Sequence, residues 1–210
     1  ISNLLSISWV NKVKNFIFRD PVFSIDRKHT IKICEAIISK GIKFNICIEA
    51  HLKNIDNELT KVLKKAGIKL IYVGIESAVE EVRKDAKRTS DTNENQIEKV
   101  KYLEKNGIRV KSMYIIGMPA DTEDTFKKTV DYAKKINSSY AQFSVFTPYP
   151  GTPIFDEYKD KITKNKYEDF TQWQLVFRHQ NLTEKDVLYL LNYSYKKYYL
   201  NPKWAIRFLF

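Results

Sequence analysis

Gly67-Ile68-Lys69-Leu70-Ile71-Tyr72-Val73-Gly74-Ile75-Glu76-Ser77 is the stretch that decides the fold. A glycine closes a helix-like segment, an apolar run opens at once, and the run ends on a carboxylate beside a small polar residue. The same opening recurs at Gly41-Ile42-Lys43 and Gly107-Ile108-Arg109. A helix C′ glycine followed by a strand, repeated in this way, is the mark of an alternating chain. Gly74, Gly117 and Gly151 instead lie within or just after apolar runs, and Pro21, Pro119, Pro148, Pro150 and Pro153 also follow such runs. Strands therefore end in irregular loops.

Working outward, residues 13–18, 44–48, 70–75, 110–116 and 141–146 are short and rich in Ile, Val, Phe and Tyr, which predicts strands. Helical patterns with start signals lie between them: Asp26 before Ile31 and Cys34, Asp56 before Leu59 and Val62, Thr92 before Ile97 and Val100, Thr122 before Phe126 and Val130. The predicted strand ends near Asp20, Glu49, Glu76, Gly117 and Thr147 are 29, 27, 41 and 30 residues apart, the period of a βα unit. Successive βα units make parallel strands. No Gly-x-Gly-x-x-Gly turn follows any of them, so a dinucleotide-binding sheet has no support.

Polarity favours a barrel over an open sheet. In residues 43–49, Phe44, Ile46 and Ile48 take one face while Asn45, Cys47 and Glu49 take the other. Parallel strands covered by helices on both faces read apolar throughout. Tyr72, Gly74 and Glu76 repeat the alternation, and Gln142 and Ser144 extend it. The polar face either lines a lumen that holds something or packs as a hydrogen-bonded barrel core. In α/β barrels the site forms where the βα loops converge, at the C-terminal strand ends. Asp20, Glu49 and Glu76 would then face one cavity, and a ligand bearing an ammonium and hydroxyls would suit them. General acid–base work, or Mg²⁺ held with His51, are the other readings of these carboxylates. His29 and His179 read as surface or packing residues, Cys34 as core on its helix stripe, and Cys47 as filler rather than nucleophile.

Composition narrows the function classes. The 210 residues carry 36 Lys+Arg against 25 Asp+Glu, a net charge of +11, with 43% hydrophobic and 13% aromatic residues. That apolar content excludes a disordered chain, and no apolar run reaches the length of a membrane span. Only Cys34 and Cys47 are present, which excludes a disulfide scaffold and an all-protein zinc or iron–sulfur site within these residues. A reducing, cytoplasmic compartment is the expectation. Lysine greatly outnumbers arginine among the cations and is spread along the chain, which reads as a general positive field rather than nucleic-acid readout.

Several segments together resemble one family: Phe18-Arg19-Asp20-Pro21-Val22-Phe23, Ile48-Glu49-Ala50, Val73-Gly74-Ile75-Glu76-Ser77, Tyr114-Ile115-Ile116-Gly117-Met118-Pro119 with Asp121-Thr122, Pro148-Tyr149-Pro150-Gly151-Thr152-Pro153, and Tyr198-Tyr199-Leu200-Asn201-Pro202. In this order they resemble radical S-adenosylmethionine (SAM) enzymes, in particular the subgroup associated with a cobalamin-binding domain. The resemblance implies an α/β fold: a partial parallel (βα) barrel of radical SAM type lacking its first strand, plus a C-terminal helical tail. Residues 1–160 would form the barrel portion, from the second to the sixth strand, and residues 161–210 the helical extension.

It also implies SAM and a [4Fe–4S] cluster as cofactors, with cobalamin supplied through another domain as an option. Glu49 would meet the SAM amino group, Glu76 the ribose hydroxyls and Arg88 the methionine carboxylate, with the Asp20-Pro21 backbone along the methionine moiety. No residue of this chain is assigned a catalytic or metal-ligating role. The family's Cys-x₃-Cys-x₂-Cys is absent, so the cluster's ligands are expected outside this chain, which reads as an excerpt from a longer protein and inactive alone. Expected partners are a small-molecule or lipid substrate and an electron donor such as flavodoxin or ferredoxin. Nucleic acid is not favoured, and the 204–210 run could rest on a membrane surface, giving a cytoplasmic or membrane-peripheral location. The competing readings are a cluster-less barrel that binds RNA or another anion through its lysines, and a carboxylate-metal hydrolase. In the tail, residues 183–186 read as a capping box, with Val187, Leu190, Leu191 and Tyr195 on one apolar stripe.

Overall fold

The computed structural model describes residues 13–41, 43–87 and 92–207. The element order is β1 (Asn15–Ile17), α1 (Arg27–Ser39), β2 (Asn45–Glu49), α2 (Asn57–Lys65), β3 (Ile68–Glu76), α3 (Glu80–Asp85), α4 (Asn93–Lys105), β4 (Arg109–Ile116), α5 (Glu123–Ile136), β5 (Tyr140–Val145), α6 (Pro153–Tyr158), α7 (Glu184–Tyr199) and α8 (Pro202–Ile206). The strands form one sheet in sequence order, β1-β2-β3-β4-β5, all parallel. By packing, described residues 13–74, 92–112 and 138–140 make one compact unit and residues 75–87, 113–137 and 141–207 a second.

Local chemistry starts and stops the helices where the sequence places the signals. Asp26 accepts from His29 N at 3.0 Å, Asp56 from Leu59 N at 2.8 Å and Thr92 from Asn95 N at 3.4 Å. Thr122 with Thr125, and Thr183 with Asp186, form reciprocal capping boxes. At the end of α4, Gly107 N bonds to Glu104 O and Ile108 N to Leu103 O, a Schellman closure. Gly67 has φ +92, and a Cβ there would run into the Phe44 carbonyl oxygen, so glycine is needed for both conformation and room.

In the first unit, Asn15, Phe16 and Ile17 of β1 pair with Asn45, Ile46 and Cys47, and Ile48 and Glu49 pair with Ile71 and Tyr72. Burial alternates along the strands. Ile46, Ile48, Ile71, Val73, Val110, Tyr114 and Phe143 are buried, whereas Glu49, Tyr72, Gly74, Glu76, Lys111, Gln142 and Ser144 are half-buried. One face of the sheet is therefore the core and the other stays partly open. Cys47 departs from this alternation, since it is buried at 8% exposure.

β5 ends the sheet order, and an edge strand exposes unpaired N–H and C=O groups. Two tyrosines of α7 meet them. Tyr195 Oη accepts from Phe143 N at 3.2 Å and donates to Phe143 O at 3.1 Å; Tyr199 Oη does the same at Ala141, at 3.0 and 2.8 Å. Four residues of helix rise about 6 Å and two residues of strand about 6.7 Å, so the two spacings match. Val187, Leu190 and Leu191 of the same helix are buried.

Gly67→Ala is expected to lower the unfolding free energy by about 3 kcal/mol, combining a left-handed conformation with a backbone collision. Gly41→Ala, with φ +67 but open space around its Cβ, is expected to cost about 1 kcal/mol. Urea denaturation of both variants distinguishes the two terms, and equal losses would remove the collision. Tyr195→Phe and Tyr199→Phe should each cost about 1–2 kcal/mol, the penalty of stranding a backbone pair, in the same assay.

Candidate functional site

In the first unit, the loop after β1 folds onto the end of β2. Phe18 N bonds to Cys47 O at 3.0 Å and Phe23 N to Glu49 O at 2.8 Å, while Thr30 Oγ1 on α1 holds Phe23 O at 3.0 Å. This brings the Asp20-Pro21 turn, both residues exposed, beside the strand end that carries Glu49. Glu49 is half-buried, and its carboxylate makes no hydrogen bond or ion pair among the described residues. Ser24, in the same loop, is 2% exposed and its Oγ is buried without a partner. An orphaned buried hydroxyl is costly in a folded chain unless a partner meets it, and the Glu49 carboxylate beside it is open to a ligand.

The partly open face beside Glu49 holds Cys47 and Tyr72, hydrogen-bonded side chain to side chain, with Lys111 Nζ 4.8 Å from the Tyr72 ring centroid. Burial pushes the Cys47 thiol up and raises Cys34, which is fully buried, to about 11. Both remain thiols at neutral pH, so neither is an activated nucleophile. His29 is exposed on α1.

In the second unit, Glu76 closes β3 with φ 68. A non-glycine residue held in the left-handed region costs about 1–3 kcal/mol, and such strain gathers at functional sites. The next residue is fixed from two sides: Ser77 Oγ lies 3.1 Å from Thr129 Oγ1 on α5, and the buried Arg83 guanidinium of α3 donates to Ser77 O. The register of β2 on β3 places Glu49 opposite Tyr72, four residues before Glu76 on the same strand. Arg88 lies outside the described residues. Arg83 carried no sequence signal, because α3 spans only Glu80–Asp85 and shows no readable period.

The turn after β4 is braced from within and from the tail. Asp121, fully buried, accepts from Gly117 N at 3.1 Å, Met118 N at 3.3 Å and Thr125 Oγ1 at 2.8 Å. Burial outweighs these donors and raises its pKa to about 6. His179 Nδ1 accepts from Asn181 N and Leu182 N, at 3.0 and 3.1 Å, which leaves Nε2–H to donate to Met118 O at 2.9 Å. Burial lowers the His179 pKa, so the ring is neutral and its tautomer is set. Gln180 Nε2 donates to Pro119 O at 3.1 Å and Asn181 Nδ2 to Asp121 O at 3.0 Å. His179 is thus the packing residue expected, with a specific structural task that the sequence did not disclose.

Among the described residues, no three His, Cys, Asp or Glu side chains gather as a metal-binding group, so the Glu49, Glu76 and His51 trio of the hydrolase reading is not assembled. No helix of the described residues is long and apolar enough to cross a membrane. Several surface lysines are paired one turn away with carboxylates, as in Glu80–Lys84 at 2.8 Å and Asp124–Lys128 at 2.8 Å, which weakens the case for a dedicated RNA surface.

Comparison with known proteins bears on this geometry. The family model of the Radical SAM superfamily matches residues 13–133. An uncharacterized methyltransferase of Pyrococcus horikoshii is 28% identical over 213 residues, covering 100% of this chain and 46% of the relative. The bacteriochlorophyllide d C-12(1)-methyltransferase of Chlorobaculum tepidum is 25% identical, covering 84% and 39%. Among solved structures, the radical SAM methyltransferase TsrM of Kitasatospora setae, with cobalamin and a [4Fe–4S] cluster bound, aligns with a TM-score of 0.68 at 18% identity over 76% of this chain and 30% of that one. The fold is a partial (βα) barrel of radical SAM type with a helical C-terminal end.

Asp121 supplies a pH test of the braced turn. Its folded value of about 6 lies above the ordinary 3.8, so folding favours the acid form. That stability is complete below pH 3.8 and is lost as pH rises through about 6, a change of roughly 3 kcal/mol. Asp121→Asn keeps an acceptor for the turn and is expected to flatten this dependence in urea unfolding measured across that window. An undiminished slope in the variant would assign the titration to another group.

Proposed function

We propose, from the premise that this chain belongs to the radical SAM superfamily, that it is the SAM-binding part of an enzyme whose [4Fe–4S] cluster is held by cysteines outside these residues. The chain spans less than half the length of the curated relatives it matches, 46% and 39% for the two described above. The observation that carries the SAM reading is the Glu49 carboxylate: half-buried, at the C-terminal end of a parallel strand and without a hydrogen-bonding partner. An ammonium is the group that relieves it.

The residues present fit SAM. Glu49 would hold the amino group. The Asp20-Pro21 turn, pinned to β2 through Phe23, would run along the methionine moiety, beside the orphaned Ser24 hydroxyl. Glu76 would receive the ribose hydroxyls, its strained backbone fixed by the Arg83 and Thr129 contacts to Ser77. Arg88 would take the methionine carboxylate, where a guanidinium fork matches the anion. The described residues do not supply the cluster's thiolates, since Cys34 and Cys47 are both buried and belong to no metal-binding group.

When bound, cluster and SAM supply a 5′-deoxyadenosyl radical by reductive cleavage, or SAM supplies a methyl group through cobalamin. The protein's own work is to bind, orient and exclude water. A one-electron donor such as a flavodoxin or ferredoxin would serve the reduction. The names of the Pyrococcus and Chlorobaculum relatives support methyl transfer as the reaction class.

The test uses the whole protein that contains these residues, reconstituted with iron and sulfide. Glu49→Gln and Glu76→Ala should each weaken SAM binding by about 1–3 kcal/mol, the range for leaving a buried polar partner unmet. Arg88→Lys should also weaken it, because a point charge replaces a bidentate fork. Calorimetric titration with SAM reads these changes without turnover, and 5′-deoxyadenosine after reduction reads the chemistry. Unchanged SAM affinity in the Glu49 and Glu76 variants would overturn the assignment.

A further inference from the structure

The second unit contains a cavity of about 420 Å³ that the SAM reading does not use. It is built on an isolated antiparallel bridge between Ile162 and Phe177, closed by bonds from Thr163 N to Val176 O at 2.9 Å and from Arg178 N to Lys161 O at 2.7 Å. This pairing sets Lys161 directly opposite Arg178. Like charges in that position repel and destabilise the pair. Among the described residues no carboxylate forms a hydrogen bond or ion pair with Lys161 or Arg178. Lys161 instead lies 5.3 Å over the Tyr158 ring. Of the carboxylates near Tyr158, Glu157 is engaged by Lys87 at 3.0 Å, and neither Glu157 nor Asp85 lines the cavity.

Beneath the two cations the lining is aromatic and fixed. Tyr158 and Phe177 meet edge to face with centroids 4.9 Å apart, and both contact Phe146 in the same way, at 6.0 and 5.9 Å. Phe177 is 2% exposed and Tyr158 8%. Pro119, His179 and Gln180 complete the wall, so the cavity adjoins the braced turn after β4.

We propose that this cavity binds a small molecule carrying a carboxylate or phosphate on a flat apolar body, the anion between Lys161 and Arg178 and the body against Tyr158 and Phe177. The anion replaces a repulsion with two charge-assisted contacts, one of them able to be bidentate. The apolar body would pack against the aromatic part of the lining, Tyr158 and Phe177, and the volume is that of a small-ligand site. None of this depends on SAM.

The test uses the whole protein and four probes: 2-naphthoate, 2-naphthyl phosphate, neutral 2-naphthol and inorganic phosphate, followed by calorimetric titration. At least one naphthyl anion should bind below about 1 mM, and whichever binds more tightly identifies the head group. The Lys161→Gln/Arg178→Gln double variant should weaken that binding about tenfold or more and leave 2-naphthol unchanged. Both side chains are exposed, so the thermal midpoint should not fall and SAM affinity should be unaltered. The proposal is overturned if neither naphthyl anion binds, if the double variant binds them equally well, or if inorganic phosphate binds as tightly as its naphthyl ester.

Discussion

A parallel sheet that buries one of its faces has two matters to settle: its last strand has unpaired backbone groups, and its other face is left partly open. Tyr195 and Tyr199 answer the first, each closing the N–H and C=O of one residue of β5. The second is left unanswered in these residues, and it is the face on which the proposed SAM site is placed. Ile46, Ile48, Ile71 and Val73 drive the sheet onto its helices through burial of apolar surface. Glu49, Tyr72, Glu76 and Lys111 stay half-buried on the other side of the same strands. A period-two pattern thus builds the core and the partly open face together.

The strand ends are held in strained or costly arrangements by their surroundings. Glu76 is held with φ 68, and the surroundings over-determine it through Ser77, which is bonded to both α5 and the Arg83 guanidinium. The turn after β4 follows the same logic. Asp121 is buried at the cost of a raised pKa so that two backbone N–H groups of the turn are satisfied. His179 reaches the same turn from the tail. Chemistry that needs a turn in one shape is served by groups whose own ionisation is disfavoured, because the alternative is an unsatisfied backbone.

Much of this was legible in the sequence, and the reason is locality. The caps at Asp26, Asp56, Thr92, Thr122 and Thr183 and the glycine closures at Gly67 and Gly107 depend on residues within a few positions of one another. The alternation at residues 44–49 depends only on strand period. What the sequence did not disclose joins positions far apart: Tyr195 and Tyr199 with β5, His179 with Met118, Lys161 with Arg178. Each requires knowing that residues 161–182 return to the strand ends. Tyr195 reads as one member of the apolar stripe of α7, and only the edge strand shows that its hydroxyl, like that of Tyr199, also closes backbone groups. The strain at Glu76 has no sequence signature, because a glutamate at a strand end is unremarkable until its φ is known.

The two cysteines carry a last step. A thiol must lose its proton to ligate iron, and a buried apolar setting opposes that loss. Cys34, fully buried on the α1 stripe, is raised to about 11, and Cys47 is raised by its own burial while bonded to Tyr72. Cys34 sits in the helix layer with Ile37 as its buried neighbour, and Cys47 in β2. Their burial therefore opposes iron ligation by either, in keeping with the proposal that the cluster's thiolates come from other residues.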